Sequence, residues 1–249
     1  MFSIQDRNRV RDHILHLATS DTRVVAGAVV GSLALGDGDR WSDLDLTFAV
    51  ADDVSVFEVL EDWTRTILAE FDAAHLFDLA TNASIYRVFL LPGCLQFDLS
   101  FTPAAKFGAS GPKFRLLFGS SVEKPFPQPP SAHDLFGYAV HHVLRARFCI
   151  ERGRYWQAEY WISSARDLAL SLACRQLGLP AFDGRGLDDL PPEVRDIFSS
   201  TLIASLERDE LLRALGLVID GLLRQADEVR ELAAKVEPQL RELTLAWER

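Results

Sequence analysis

Two aspartates one residue apart, Asp43 and Asp45, stand in Ser42-Asp43-Leu44-Asp45-Leu46 at the start of an apolar run. On a strand, residues two apart project from the same face, so the carboxylates lie together and Leu44 and Leu46 turn toward a core. Adjacent carboxylates repel, and the pairing is costly unless a cation lies between them. Oxygen ligands that leave some water in place suit Mg²⁺. A third carboxylate, Asp98, sits in Leu95-Gln96-Phe97-Asp98-Leu99 among apolar neighbours, where it needs a partner or a site. If its strand pairs beside the first, the three converge and can hold two cations about 3.5–4 Å apart, the clamp for in-line displacement at phosphorus. Separated from Asp43 by ten residues, Gly31-Ser32 ends another apolar run. Glycine lets a ligand approach the backbone closely, and a helical turn opening at Ser32 would point N–H groups at an anion.

These residues need a sheet to carry them. Arg23–Val30 and Leu44–Val50 read as buried strands, with a glycine- and aspartate-rich turn over Leu33–Trp41 between them, where Asp37 and Asp39 are turn residues. His75–Leu79, Ile85–Leu91 and Leu95–Phe101 are further strands, the last two joined by a hairpin at Pro92-Gly93. Helical spacing places helices at Ile4–Thr19 and at Val54–Phe71, the second with Phe57, Leu60, Thr64 and Leu68 on one side. Thr102–Ser131 is rich in proline and glycine and reads as a boundary. Helices follow at Ala132–Arg152, Tyr155–Leu177, Pro191–Ser205 and Glu207–Val236, with a loop at Asp183–Asp189. The expected fold is therefore α+β: a mixed-sheet catalytic domain over residues 1–120 and a helical bundle, substrate-binding, over 121–249.

Composition narrows the classes. With 249 residues and 48% hydrophobic, the chain can build one large core or two modest ones. No apolar run reaches the ~18–20 residues of a membrane span. Asp6, Arg7, Asn8 and Arg9 break the apolar character of the start, so no secretory leader is expected and the reading is cytoplasmic. Cys94, Cys149 and Cys174 are scattered in apolar stretches and read as reduced core residues. A net charge of −10 speaks against a nucleic-acid partner and for a cationic one.

Gly-Ser, ten residues, Asp-Leu-Asp, and a third Asp on a later strand resemble the DNA polymerase beta type nucleotidyltransferase superfamily over roughly Val24–Phe101. Ser42–Leu46 is especially similar to small bacterial members: aminoglycoside and lincosamide nucleotidyltransferases and the minimal enzymes of toxin–antitoxin pairs. The helical half resembles, in architecture, the substrate domain of the antibiotic-modifying members. The resemblance implies metal binding at Asp43, Asp45 and Asp98 and phosphate binding at Gly31 and Ser32. It also implies Mg²⁺ as cofactor, a nucleoside triphosphate, ATP by preference, as co-substrate, and a small hydroxyl-bearing acceptor, with antibiotic resistance as one setting. A protein-modifying enzyme and a catalytically silent nucleotide binder are the alternatives.

The general base is less defined. Asp98 is one candidate; Glu159 is the other, on a stripe with Ser163 and Arg166 at i, i+4 and i+7. An ordinary solvated face, or an internal Glu159–Arg166 pair, explains that stripe slightly better. Asp98 could instead pair with an arginine such as Arg87. The cluster His141, His142 and Arg145 reads first as packing or surface residues, and the aromatics Trp156, Tyr160 and Trp161 read first as core. Lys106, Lys113 and Arg115 could reach a triphosphate or stand exposed.

Overall fold

In a computed structural model the protein is α+β, and the structure describes residues 1–36, 38–81 and 84–245. They fall into two compact units, Met1–Pro127 and Gln128–Arg249.

The first unit holds six strands: β1 (Val24–Val30), β2 (Leu44–Val50), β3 (Ala74–Ala80), β4 (Ile85–Leu91), β5 (Leu95–Pro103) and β6 (Phe114–Phe118). They form one mixed sheet in the order β3-β4-β5-β2-β1-β6. β2 and β5 run parallel; the other neighbours are antiparallel. Strict alternation builds the core. Leu44, Leu46 and Phe48 on β2 and Phe97, Leu99 and Phe101 on β5 are all buried on one face. Two helices cover that face, α1 (Ile4–Ser20) through Val10, Ile14 and Ala18 and α2 (Val56–Phe71) through Val59, Leu60, Trp63 and Ile67. A capping box starts α1: the Ser3 hydroxyl accepts from the Asp6 N–H and the Asp6 carboxylate accepts from the Ser3 N–H. Asp45, Thr47, Asp98, Ser100 and Thr102 occupy the opposite face of the sheet.

Several expectations give way here. Of the side expected to face the core on α2, Leu60 and Thr64 are buried but Phe57 and Leu68 are exposed; Val59, Trp63 and Ile67 complete the buried side. The boundary segment contains β6, whose Phe-Arg-Leu-Leu-Phe run pairs with β1 and extends the sheet. Cys94 is exposed because it lies in the left-handed bend of the β4–β5 hairpin; Cys149 and Cys174 are buried and reduced.

The second unit is helical: α3 (Ala132–Glu151), α4 (Tyr155–Gln176), α5 (Pro192–Ser199), α6 (Arg208–Arg224) and α7 (Arg230–Glu242). Two clusters of buried apolar side chains hold it, one around Phe136, Leu172 and Leu222, the other around Val143, Ile162 and Leu215. α5 stops well short of Ser205. The single helix expected over Glu207–Val236 is broken after Arg224. There the Gln225 carbonyl accepts a 2.6 Å hydrogen bond from the Gln176 side chain on α4, and the Val229 N–H bonds to Ala226 instead. A tertiary donor thus takes an acceptor that helix continuation would need. Among the described residues, no helix is long and apolar enough to cross a membrane.

Candidate metal centre

The parallel register of β2 and β5 sets Leu44 beside Phe97 and Asp45 beside Asp98. Neighbouring strands lie about 4.8 Å apart, so the two carboxylates meet on one face. Asp43 stands one residue before β2 on the same side. One oxygen from each of Asp43, Asp45 and Asp98 lies within 4.8 Å of the other two, and all three residues are half-buried. Burial raises the Asp98 pKa above its ordinary 3.8, and the nearby charge of Asp43 adds to that; the Gln96 amide, donating at 3.0 Å, opposes it. Three convergent carboxylate oxygens are a hard donor set, and they fit Mg²⁺.

Gly31 is part of the same construction. Its φ of +69° is left-handed, and a Cβ there would overlap Asp45 Oδ2 and stand 3.3 Å from its Cγ. Only glycine lets β1 turn away this close to the carboxylate. The Gly31 N–H donates to the Lys113 carbonyl at 3.2 Å. Ser32 is the second residue of a 3-10 turn, Gly31–Ala34, and Arg115 Nε donates to the Ala34 carbonyl at 3.1 Å.

The loop into Asp43 is tied down by a residue that sequence reasoning passed over. Arg7, on α1 and only 4% exposed, donates through one Nη to the Asp39 carbonyl at 2.7 Å and to the Ser42 carbonyl at 2.6 Å. The one signal was its place in the buried stripe of α1, with Val10, Ile14 and Ala18. Asp39 closes its own turn, accepting from the Trp41 N–H at 2.8 Å and the Ser42 hydroxyl at 3.2 Å. Asp37 lies outside the described residues.

Arg87 is not the partner of Asp98. It faces the helices, held by Asp78 at 2.7 Å, Glu61 at 2.5 Å and the Thr64 hydroxyl at 2.8 Å. Lys106 is exposed. Glu159 belongs to the second unit, where its carboxylate accepts from the Ser163 hydroxyl at 2.7 Å. Arg166 turns to Asp167 at 3.6 Å. Trp156 and Tyr160, expected as core, are exposed. His142 packs on the Trp161 ring at 4.8 Å, and burial lowers its pKa. Arg145 lies 5.8 Å over the same ring.

No protein-family model matches the chain, and no curated protein matches it in sequence. Solved structures do align with it. An aminoglycoside 6-adenyltransferase from Bacillus subtilis aligns at 13% identity and a TM-score of 0.43, covering 99% of this chain and 100% of that one. JHP933 from Helicobacter pylori aligns at 12% identity and a TM-score of 0.30, over 94% and 99%. MenT4, a nucleotidyltransferase toxin from Mycobacterium tuberculosis H37Rv, aligns at 17% identity and a TM-score of 0.24, over 94% and 91%. At TM-scores below 0.5 these likenesses do not bear on activity, which has to be read from the side chains of the site.

Proposed function

We propose that the protein is a Mg²⁺-dependent nucleotidyltransferase. It moves a nucleoside monophosphate, AMP from ATP by preference, onto a hydroxyl of a small acceptor. The observation that carries this is the meeting of Asp43, Asp45 and Asp98 within 4.8 Å, beside a glycine that leaves room for them. In this reading the three carboxylates hold the metal, and Gly31 and Ser32 hold phosphate. Bound there, Mg²⁺ would supply charge neutralisation at the triphosphate. The acceptor oxygen bonds to the α-phosphorus, the bond to the bridging oxygen breaks, and pyrophosphate leaves with that electron pair. The acceptor proton goes to a carboxylate base, for which Asp98 is one candidate. Glu159 is the other candidate for that proton. The rest is positioning, by the β2–β5 register and by Arg7. A net charge of −10 suits a cationic acceptor such as an amino sugar.

Two measurements test this. Calorimetric titration of ATP should show binding that strengthens with Mg²⁺. Pyrophosphate release across aminoglycosides, lincosamides and candidate proteins should identify an acceptor. A protein acceptor would move the assignment to a protein-modifying enzyme. Nucleotide binding with no release for any acceptor would sink the transferase reading.

A further inference from the structure

On the face that carries Asp45 and Asp98, a cavity of about 190 Å³ opens further along β2, at Thr47. The hydroxyl-bearing side chains of Thr47, Ser84, Tyr86 and Thr102 line it, together with Lys113 and Lys124. Half of the four lysines in the chain meet here, and no Asp or Glu is among the lining residues, although acids outnumber bases 36 to 26 overall. Among the described residues, no carboxylate lies within 4.0 Å of either ammonium. Among the described residues, Lys124 Nζ donates to the Gly108 carbonyl, at 3.4 Å. It is half-buried, and burial lowers its pKa below the usual 10.5. A partly desolvated ammonium without a counter-charge is costly, and an anion in the cavity removes the cost.

The hydroxyls point to the same kind of ligand. Thr47 Oγ accepts from the Ser100 hydroxyl at 2.8 Å, which leaves the Thr47 proton as a donor. Ser84 and Thr102 share one hydrogen bond of 2.7 Å, so one of their two protons also remains. The half-buried Lys124 ammonium and the hydroxyl donors, with the exposed Lys113 at the cavity wall, match a phosphate group, whose oxygens all accept. The place fits as well. Thr47 follows Asp45 by two residues on the same face, about 6.6 Å along the strand. The backbone of Lys113 is held to Gly31.

We infer that this cavity is a second phosphate subsite, which takes the terminal phosphates of the nucleotide and then the pyrophosphate product. The inference rests on the nucleotidyltransferase reading for the identity of the phosphate. The pocket itself requires no metal.

The test is calorimetric titration of inorganic pyrophosphate into the full chain in EDTA. Wild type should bind, Lys124→Met should bind at least about tenfold more weakly, as loss of a charged hydrogen bond implies, and Lys124→Arg should recover most of the affinity. A melting curve of Lys124→Met that overlays wild type excludes misfolding as the cause. ATP should compete with pyrophosphate. No binding to wild type, equal binding to Lys124→Met, or binding that ATP leaves untouched each overturns the subsite. Absence of turnover with pyrophosphate binding intact would instead strike the transferase reading alone.

Discussion

Gly31 and Asp45 constrain each other at the closest point between β1 and the carboxylates. A methyl group at 31 meets the Asp45 carboxylate and also forces a left-handed φ on an L side chain. Gly31→Ala should therefore cost about 1–3 kcal/mol of stability in urea melts and weaken Mg²⁺ binding as Asp45 is displaced. Unchanged Mg²⁺ affinity in a folded Gly31→Ala would show that the glycine serves the turn alone. Asp45→Asn should behave differently. It relieves repulsion among three half-buried acids, so its melting temperature in EDTA should equal or exceed that of wild type. Mg²⁺ should raise the wild-type melting temperature, as a ligand of the native state does, and leave the variant unmoved. Turnover in Asp43→Asn or Asp45→Asn should vanish. A variant that still turns over would contradict the assigned roles.

At the level of elements, α1 has two duties. Its buried stripe packs on the sheet, and Arg7 on that stripe reaches the loop that delivers Asp43. Arg7→Met should weaken Mg²⁺ binding about tenfold, beyond its cost to stability, because two charge-assisted hydrogen bonds to the loop are lost. If the variant loses stability and keeps its Mg²⁺ affinity, Arg7 is structural only. The end of α1 has a pH signature. Asp21 accepts from Arg23 Nε and Nη at 2.9 and 2.8 Å and from the Trp63 indole at 2.9 Å. The Arg23 guanidinium, with help from the indole, holds its pKa at about 2 against an ordinary 3.8. The folded value is the lower one, so this stabilisation is complete above about pH 4 and is lost as pH falls toward 2. The side chain is largely buried, and the shift corresponds to about 2 kcal/mol. Chemical melts between pH 5 and 2 should show a steeper loss of stability in wild type than in Asp21→Asn.

For the molecule as a whole, the two units keep separate cores. Trp63, Phe48 and Phe101 centre the first, while the buried faces of α3, α4 and α6 make the second. Residues 128–249 expressed alone should be helical by circular dichroism and melt in one cooperative transition. A gradual, non-cooperative melt would mean that this unit borrows its stability. The charge of −10 belongs to this scale too, setting the attraction for cations while leaving the lysine-lined cavity as a local exception.

The chain by itself determined which atoms are available and how they alternate. Asp-Leu-Asp at a strand start forces two carboxylates onto one face, and Phe97 and Leu99 turn Asp98 away from the core, because side-chain direction follows residue parity on a strand. A glycine before Ser32 likewise marked the turn. Tertiary structure decided everything that depends on register between distant segments. The parallel pairing of β2 with β5 brought Asp98 to Asp45 across 53 residues, and Arg7 reached carbonyls 32 and 35 residues away. The break after Arg224 came from a Gln176 side chain on another helix. The placing of Lys113 and Lys124 on one cavity has no local pattern at all. Local periodicity reports which side of an element is apolar, and long-range pairing chooses its neighbours.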